Sequence, residues 1–360
     1  MPVLDGPTFR RAPRAPPFSE PRIDMDTTNT AFSAPYPSLD QLRATADRLR
    51  GRVLETPVWR WQTGIVERAL DPSTEVWLKL ELFQRTGTFK LRGALNNIAA
   101  MDAPALSRGV VAASAGNHAI AVAYAARVAG THAKVCMPRS ASPARIAACE
   151  SEGAQVILVD TIQDAFALAL RLVEDERRTM LHPFDGALTA EGTGTIGLEL
   201  MKQVPDLDAV VVPVGGGGLC AGIAAAVKQV NPDCQVFGIE PYGADAMYRS
   251  FRAGAPEKLD KVDTIADSLG APYTLPYSFG VCRRFVDEIV RVWDEELCRA
   301  MAHLYRDMKL VAEPAAAAAT AALLGPLRSR LDGKRVALVV CGSNIDVSRF
   351  GEWVARGTET

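Results

Sequence analysis

The sequence lacks an excess of charge of either sign. Its 40 Lys and Arg residues face 42 Asp and Glu residues, which leaves a net charge of −2 at pH 7. A surface so evenly balanced has no strong field to attract nucleic acid. The chain also lacks an apolar run that approaches the roughly 20 residues needed to span a bilayer. These absences exclude a nucleic-acid partner and a membrane partner from our expectations.

Closely spaced cysteines are missing as well. The seven cysteines are far apart in sequence and form no Cys-x-x-Cys motif, and the four histidines are dispersed. This pattern argues against a disulfide framework and against a zinc site, and it favours a reducing compartment. The first residues lack the apolar core of a secretory signal. We therefore expect a cytoplasmic protein.

Residues 1–37 differ from the rest of the chain because they are rich in proline and lack helical periodicity. Such a composition is typical of a solvated arm without a packed core. Ser38 is a good N-cap ahead of Leu39, Leu42 and Leu49. We predict that the first helix begins directly after Ser38.

Short β-rich runs alternate with helical segments through the remaining chain. Such alternation indicates parallel sheets with helices on both faces. Because there are too many units for one small sheet, we predict an α/β fold with two layers and a cleft between them. The predicted strands are 76–80, 109–113, 133–137, 155–159, 209–214, 235–240 and 335–341, and the predicted helices include 119–129, 143–151, 162–173 and a segment that ends at residue 230.

Four consecutive glycines, Gly215, Gly216, Gly217 and Gly218, follow the predicted strand 209–214 and precede a helix. Ligands of open parallel sheets bind beyond the carboxyl ends of the strands. Consecutive glycines let backbone N–H groups converge at a helix N-terminus, which favours an anion. No Walker lysine follows the run, and the run is not part of a dinucleotide fingerprint. A phosphate group is therefore favoured here over a plain tight turn.

A second segment, Ser114-Ala115-Gly116-Asn117-His118, follows another predicted strand and opens another helix. It offers a hydroxyl, an amide, an imidazole and several N–H groups, which together suit a carboxylate or a ring hydroxyl. Helix capping by Ser114 or Asn117 is the structural alternative, and this segment alone does not decide between the two.

Lys90 lies between Phe89 and Leu91 at the predicted start of a helix. Most lysines are solvated surface groups. A lysine held in an apolar cleft has its charged form disfavoured, so its amine becomes nucleophilic and can form a Schiff base. Cys341 follows the last predicted strand, and it is either a buried cysteine at a strand end or a neutral partner for a heteroaromatic nitrogen.

Together these four segments resemble the fold-type II pyridoxal-phosphate (PLP) enzymes, in particular the serine/threonine dehydratase (threonine ammonia-lyase) family. The stretch from Glu81 to Ala94, which contains Thr86-Gly87-Thr88-Phe89-Lys90, is similar to the Schiff-base segment of that family. The resemblance extends over about residues 50–350. It implies a two-domain, tryptophan synthase β-like α/β fold and pyridoxal 5'-phosphate as the cofactor.

The resemblance also implies a role for each matching residue. Lys90 would hold the cofactor as a Schiff base and act as the catalytic base at Cα. The substrate carboxylate would be bound by the segment that begins at Ser114. The implied cofactor-binding residues are Lys90, Phe89 beside the ring, Asn117 at the ring hydroxyl, Gly215, Gly216, Gly217 and Gly218 at the phosphate, Glu313 at the ring edge and Cys341 at the ring nitrogen; the implied substrate-binding residues are Ser114, Ala115, Gly116 and His118.

The implied reaction is β-elimination from a 3-hydroxy amino acid such as L-threonine or L-serine, which gives a 2-oxo acid and ammonia. Two alternatives stay open. One is a serine or amino-acid racemase on the same scaffold. The other is a dehydratase for a different 3-hydroxy amino acid, namely 3-hydroxyaspartate, phenylserine or a hydroxyectoine-pathway intermediate.

Two departures from the family pattern bear on these alternatives. Racemases of the family carry a second serine where this chain has Ala115, which has no proton to give, so elimination ranks above racemisation. The divalent-metal pattern of some members has a carboxylate at the position where this chain has Ala246, although Glu240 is retained. We expect no tight divalent metal site, and the pattern leaves a monovalent cation open.

The resemblance finally implies an organisation for the whole chain. Residues 38–106 and 191–360 would form a large PLP-binding domain, and residues 107–190 would form a small mobile domain. The chain after Cys341 is too short for the regulatory domain of biosynthetic threonine dehydratases, which favours amino-acid catabolism. A homodimer or a higher homo-oligomer is expected.

Overall fold

Two sheets organise the computed structural model, which describes residues 35–358. The predicted α/β fold is confirmed, and each predicted strand is present with ends that differ by a few residues at most. The strands are β1 (Val58–Trp61), β2 (Glu75–Lys79), β3 (Val110–Ala113), β4 (Ala133–Pro138), β5 (Gln155–Val159), β6 (Thr179–Met180), β7 (Ala209–Pro213), β8 (Gln235–Pro241), β9 (Glu288–Val292) and β10 (Arg335–Val339).

Helices cover both sheets. Ser38 caps the first of them, because its side chain accepts a hydrogen bond from the Gln41 backbone and Gln41 returns one. The helices are α1 (Leu39–Leu49), α2 (Ile65–Ala69), α3 (Lys90–Ala99), α4 (Ala103–Arg108), α5 (Asn117–Val128), α6 (Pro143–Ser151), α7 (Ile162–Glu176), α8 (Ala187–Gln203), α9 (Gly218–Val230), α10 (Ala246–Ala253), α11 (Pro276–Phe285), α12 (Asp294–Met308), α13 (Pro314–Leu324) and α14 (Val347–Arg356).

The larger sheet has six strands in the order β1-β2-β10-β7-β8-β9, and the smaller has four in the order β5-β4-β3-β6. All neighbouring strands are parallel except β1, which pairs with β2 in the antiparallel sense. Central strands carry continuous apolar runs such as the buried 209–213 segment, because both of their faces are covered. The carboxyl ends of β3, β7 and β10 therefore become the places where loops can hold a ligand.

Small residues let the helices pack closely against each other and against the sheet. The residues of α13, an alanine-rich helix, are buried except Leu324 at its end, as expected for a packed rather than a membrane-spanning helix. Gly222 of α9 faces α8, where an added Cβ would lie 2.2 Å from the Thr193 side-chain oxygen. A larger residue at position 222 would therefore push apart the two helices that support the glycine turn.

Three strands were not predicted. β1 and β9 lie at the edges of the large sheet, and β6 is only two residues long, so their sequences carry too little apolar periodicity to mark them. The predicted N-terminal arm, residues 1–37, lies outside the described residues except for its last three positions. Among the described residues, no helix is long and apolar enough to cross a membrane.

Candidate active site

The four predicted segments meet at one cleft. It encloses about 400 Å³, the solvent-filled mouth included. Loops after β7 and β10 reach it from the large sheet, and the loop after β3 reaches it from the small sheet. Every residue predicted to bind the cofactor lines it: Phe89, Lys90, Asn117, Gly215, Gly216, Gly217, Gly218, Glu313 and Cys341.

Lys90 is the first residue of α3, and its side chain extends toward the cleft. Its Nζ donates a hydrogen bond of 2.6 Å to the carbonyl oxygen of Pro183 and lies 5.1 Å from the centroid of the Phe89 ring. Burial lowers the pKa of Lys90 to about 8, although Cys341 and Glu313 act in the opposite direction. A substantial fraction of this amine is therefore neutral near pH 8 and able to act as a nucleophile or a base.

The glycine turn leaves no room for side chains. Gly217 has a φ of +95°, a left-handed conformation that favours glycine. An added Cβ at Gly216 would lie 2.1 Å from the Phe184 ring, and one at Gly218 would lie 2.1 Å from the Phe184 carbonyl oxygen. The turn opens directly into α9, so its backbone N–H groups and the helix N-terminus together favour an anion.

Cys341 and Glu313 supply the polar wall opposite the glycine turn. Burial, together with Glu313, raises the pKa of the Cys341 thiol well above its usual range, so the thiol stays neutral. Burial and Asp267 raise the pKa of Glu313 to about 7, while hydrogen bonding from Asn117 and the charge of Arg145 oppose the shift. A neutral thiol can meet a heteroaromatic nitrogen without forcing a proton onto it.

Asn117, the first residue of α5, lies between the two sheets. Its Nδ2 donates to both carboxylate oxygens of Glu313, at 2.8 and 3.0 Å, and to the Ser268 hydroxyl at 3.1 Å. Its Oδ1 accepts a hydrogen bond of 3.0 Å from Asn344. The amide is therefore held in one orientation at the wall of the cleft.

In the loop predicted to bind a carboxylate, the side chains of Ser114 and His118 make different contacts. The Gly116 N–H donates to the Ser114 hydroxyl at 3.2 Å, and Ala115 lies beside them in the same loop. His118 is directed elsewhere, since its Nε2 lies 2.8 Å from the Leu181 carbonyl oxygen and it lines a second cavity behind Lys90. Burial and the nearby Lys90 charge lower the pKa of His118 to about 3, so its ring is neutral.

The sequence analysis missed several residues that shape this site. Pro183 and Phe184 follow β6, a strand too short to be recognised from sequence, so the loop after it was not considered. Arg145 of α6 donates to Asp267 at 2.6 Å and to the Asn344 carbonyl at 2.8 Å. Nothing in the periodicity of α6 distinguishes this arginine from a solvated one, because its partners come from distant parts of the chain.

Comparison with known proteins identifies the family. The family model described as "Pyridoxal-phosphate dependent enzyme" matches residues 50–342, which is most of the chain. The chain belongs to this family. It is 48% identical over 333 residues to the phenylserine dehydratase of Ralstonia pickettii, covering 92% of this chain and 99% of that protein. It is 42% identical over 284 residues to the L-threonine ammonia-lyase of Thermotoga maritima, covering 79% and 70%.

A solved structure supports the same relationship. Maize serine racemase superposes on this PLP enzyme with a TM-score of 0.83 at 33% identity, covering 90% of this chain and 99% of the maize chain. The predicted fold-type II architecture, the serine/threonine dehydratase family and the PLP cofactor are therefore confirmed. The predicted enzyme class, a PLP-dependent ammonia-lyase that catalyses β-elimination from hydroxy amino acids, is confirmed as well.

The residues of the cleft fit PLP. The side-chain-free turn at residues 215–218 suits a phosphate, the neutral thiol of Cys341 suits an unprotonated ring nitrogen, and the Lys90 amine suits an aldehyde. A Cβ at Gly216 would overlap the Phe184 ring, so the absence of a side chain there has a steric reason. When bound, PLP supplies an electron sink for the negative charge that develops at Cα.

Glu240, the residue retained from the divalent-metal pattern, is already engaged by the backbone. Its two carboxylate oxygens accept hydrogen bonds from the N–H groups of Met247, at 2.9 Å, and Tyr248, at 2.7 Å. Within residues 35–358, no three His, Cys, Asp or Glu side chains are grouped as metal ligands. That this enzyme binds no tight divalent metal stays a prediction.

Glu313 gives the apoenzyme a pH dependence that can be measured. Its pKa is about 7 in the fold against about 4.3 in an unfolded chain, so the native state binds more protons between these values. Stability contributed by the protonated carboxyl is present below pH 4 and is lost as pH rises through 7. Glu313→Gln should remove this loss, so its unfolding free energy should rise relative to wild type by about 3 kcal/mol between pH 4.5 and 8.

Urea unfolding of both apoproteins across this pH range checks the expectation. The variant Glu288→Gln, which replaces an exposed carboxylate, serves as the control. Curves for Glu313→Gln and wild type that stay parallel from pH 4.5 to 8 would contradict the raised pKa.

Proposed function

We propose that this ammonia-lyase dehydrates 3-hydroxy amino acids with a preference for phenylserine over L-threonine and L-serine. The observation that carries the proposal is the 48% identity to a phenylserine dehydratase over nearly the full length of both chains. The sequence alone favours L-threonine and L-serine as substrates and leaves phenylserine as an alternative. The products are ammonia and the matching 2-oxo acid, which for phenylserine is phenylpyruvate.

Lys90 is the catalytic residue of this proposal. Its amine, with a pKa of about 8, takes the proton from Cα of the substrate and holds it at Nζ. The carbonyl oxygen of Pro183, 2.6 Å from Nζ in this structure, is placed to accept a hydrogen bond from the protonated amine. The proton is thereby retained inside the cleft rather than exchanged with bulk water.

The remaining residues orient the cofactor and the substrate. Phe89 would pack beside the ring, Asn117 would donate to the ring hydroxyl, and Glu313 would lie at the ring edge. The residues at 215–218 would present N–H groups to the phosphate, and Cys341 would face the ring nitrogen. Support comes from the fact that all of these residues line a single cleft.

The substrate carboxylate is proposed to bind at the loop of Ser114, Ala115, Gly116 and His118. The Ser114 hydroxyl and the backbone N–H groups at the start of α5 are the donors, and the helix N-terminus adds its favourable dipole. His118 contributes by holding the loop, because its Nε2–H is already donated to Leu181.

The two sheets support the proposed division into domains. All four strands of the smaller sheet lie between residues 110 and 180, inside the proposed small mobile domain of residues 107–190. Residues 38–106 and 191–360 form the proposed large PLP-binding domain. Arg145 and Ser142 bridge the two, with hydrogen bonds of 2.6 Å to Asp267 and 2.9 Å to Asp346. A cytoplasmic homodimer or higher homo-oligomer in amino-acid catabolism completes the proposal.

A substrate panel tests the proposal. Phenylserine, 3-hydroxyaspartate, L-threonine and L-serine are each incubated with the holoenzyme, and ammonia and 2-oxo acid are measured. We expect the highest kcat/KM with phenylserine, by about tenfold or more, the order of effect that a filled hydrophobic side-chain pocket produces. A kcat/KM for L-threonine that exceeds the value for phenylserine would overturn the preference but leave the reaction class intact.

The same incubations separate elimination from racemisation. Ala115 offers no proton to the face of Cα opposite Lys90, so remaining L-serine should stay in the L form. Chiral chromatography of that serine checks the expectation. D-serine that accumulates faster than pyruvate would identify a racemase instead.

A further inference from the structure

Asn344 lies at the junction of three segments of the active site. It follows Cys341 by three residues, and its Nδ2 donates to the Thr86 carbonyl oxygen at 2.9 Å and to the Asn117 Oδ1 at 3.0 Å. Its own carbonyl oxygen accepts a hydrogen bond of 2.8 Å from Arg145. Asn344 therefore connects three segments: the loop before Lys90, the first residue of α5, and helix α6.

Hydrogen-bond chemistry fixes which way the Asn344 amide faces. A backbone carbonyl only accepts, so the Asn344 atom that meets Thr86 must be the donor Nδ2. The same Nδ2 also meets Asn117, so the Asn117 atom there must be its acceptor, Oδ1. The amide is also packed closely against the loop before Lys90, because an added Cβ at Gly87 would lie 2.4 Å from the Asn344 Oδ1.

The consequence for Asn117 is that its Nδ2 is turned away from Asn344 and toward the cleft wall. There it meets Glu313 and Ser268, both of which line the cleft. Without the Asn344 N–H groups, only Glu313 and Ser268 would orient the Asn117 amide. The Ser268 hydroxyl and a protonated Glu313 carboxyl can donate as well as accept, so they hold either end of the amide. Asn117 would then present its oxygen to the cleft for part of the time.

We propose that Asn344 is a positioning residue that holds the Asn117 amide with its N–H toward the cofactor's ring hydroxyl. The proposal rests on the proposed role of Asn117. A hydrogen bond donated to the ring oxygen withdraws negative charge from beside the Lys90-linked nitrogen. Losing that bond raises the pH at which this nitrogen gives up its proton.

The experiment is a double-mutant cycle on the holoenzyme, with Asn344→Ala, Asn117→Ala and the double variant. The readout is the pH midpoint at which the visible absorption band of the bound cofactor titrates. We expect Asn344→Ala to raise the midpoint by about one unit, the scale set by one hydrogen bond to a charged group. In the Asn117→Ala background the same substitution should add no further shift.

Ser343→Ala is the matched control. Ser343 lies beside Asn344, and its hydroxyl donates to the Leu82 and Gly87 carbonyl oxygens at 3.3 Å without touching Asn117. The pH midpoint of the absorption band in Ser343→Ala should equal that of wild type. Glu313, Asp267 and Arg145, the charged groups around the two asparagines, are unchanged in all variants. Asn344→Leu, whose side chain has a similar size but neither N–H groups nor charge, repeats the test if the alanine variant does not fold.

Each outcome decides the proposal. A midpoint that does not move in Asn344→Ala or Asn344→Leu overturns it, and so does a shift that is as large without Asn117 as with it. Cofactor lost from both Asn344 variants but retained by Asn117→Ala also overturns it, because a residue that acts through Asn117 cannot cost more than Asn117 itself. A wild-type protein that shows no visible band with PLP would instead refute the proposed function.

Discussion

Lys90→Ala should lower kcat/KM by at least about 10³-fold, since a positioned general base contributes roughly 10²–10⁴ and Lys90 is also proposed to carry the covalent attachment. The described residues offer no substitute base at this position. His118 and His182, on which the Lys90 charge acts, have pKa values lowered to about 3 and about 4 by burial, and both already engage backbone groups.

The measurement combines kinetics with chemistry. Ammonia release from phenylserine and L-threonine gives kcat/KM, and borohydride treatment followed by mass spectrometry locates the covalently bound cofactor. Wild type should carry the reduced adduct on Lys90, and Lys90→Ala should carry none. Lys202→Ala is the control, because that side chain is 77% exposed and pairs only with Glu55, at 3.8 Å.

Two results would refute this assignment of the catalytic lysine. One is a Lys90→Ala protein that keeps more than a tenth of the wild-type kcat/KM. The other is a borohydride adduct found on a different lysine. Either would also remove the basis for the roles proposed for the surrounding cleft residues.

Arg92→Leu should destabilise the fold by about 3–5 kcal/mol, the cost of breaking a buried ion pair from one side. Arg92 has no exposed side-chain surface and donates to both carboxylate oxygens of Glu81, at 2.8 and 2.9 Å. It also donates to both oxygens of Glu199, at 2.5 and 2.9 Å. Lys79 completes the cluster with a 2.6 Å hydrogen bond to Glu199.

The expected loss of stability in Arg92→Leu arises because the buried charges of the cluster balance one another. Two cations and two carboxylates lie together, so removing Arg92 leaves an uncompensated negative charge where water cannot reach it. Because Arg92 belongs to the first turn of α3, which begins at Lys90, the loss also loosens the helix that carries the proposed catalytic amine. Activity should therefore decline at temperatures below the global unfolding transition.

Urea unfolding of the holoenzyme gives the size of the effect. Arg85→Leu, on an exposed arginine five residues before Lys90, is the control and should change stability by less than about 0.5 kcal/mol. Adding Glu81→Gln to Arg92→Leu should recover part of the loss, because it removes one of the unbalanced charges. Equal midpoints for the two arginine variants would show that the buried cluster contributes nothing to stability.

The fold class and most residues that line the candidate cleft could be predicted from the sequence alone. Apolar runs marked the central strands, and the rule that ligands lie beyond strand ends led from those strands to the glycine turn, the Ser114 loop and Cys341. The Lys90 segment is local in sequence and could be recognised without knowing what it contacts. Edge strands and the two-residue β6 were missed because they bury too little apolar surface to leave a pattern.

Only the tertiary structure decided which long-range partners surround these residues. Arg145, Asp267 and Asn344 are far apart in the chain. Each is a polar residue of a type that is equally common on a solvated surface. The neutral state of His118, the raised pKa of Glu313 and the orientation of the Asn117 amide depend on burial and on specific neighbours, which local sequence does not encode. Each segment of the cleft could be recognised separately from its local sequence. The hydrogen bonds between the segments form only when the two sheets bring the ends of their strands to the same cleft.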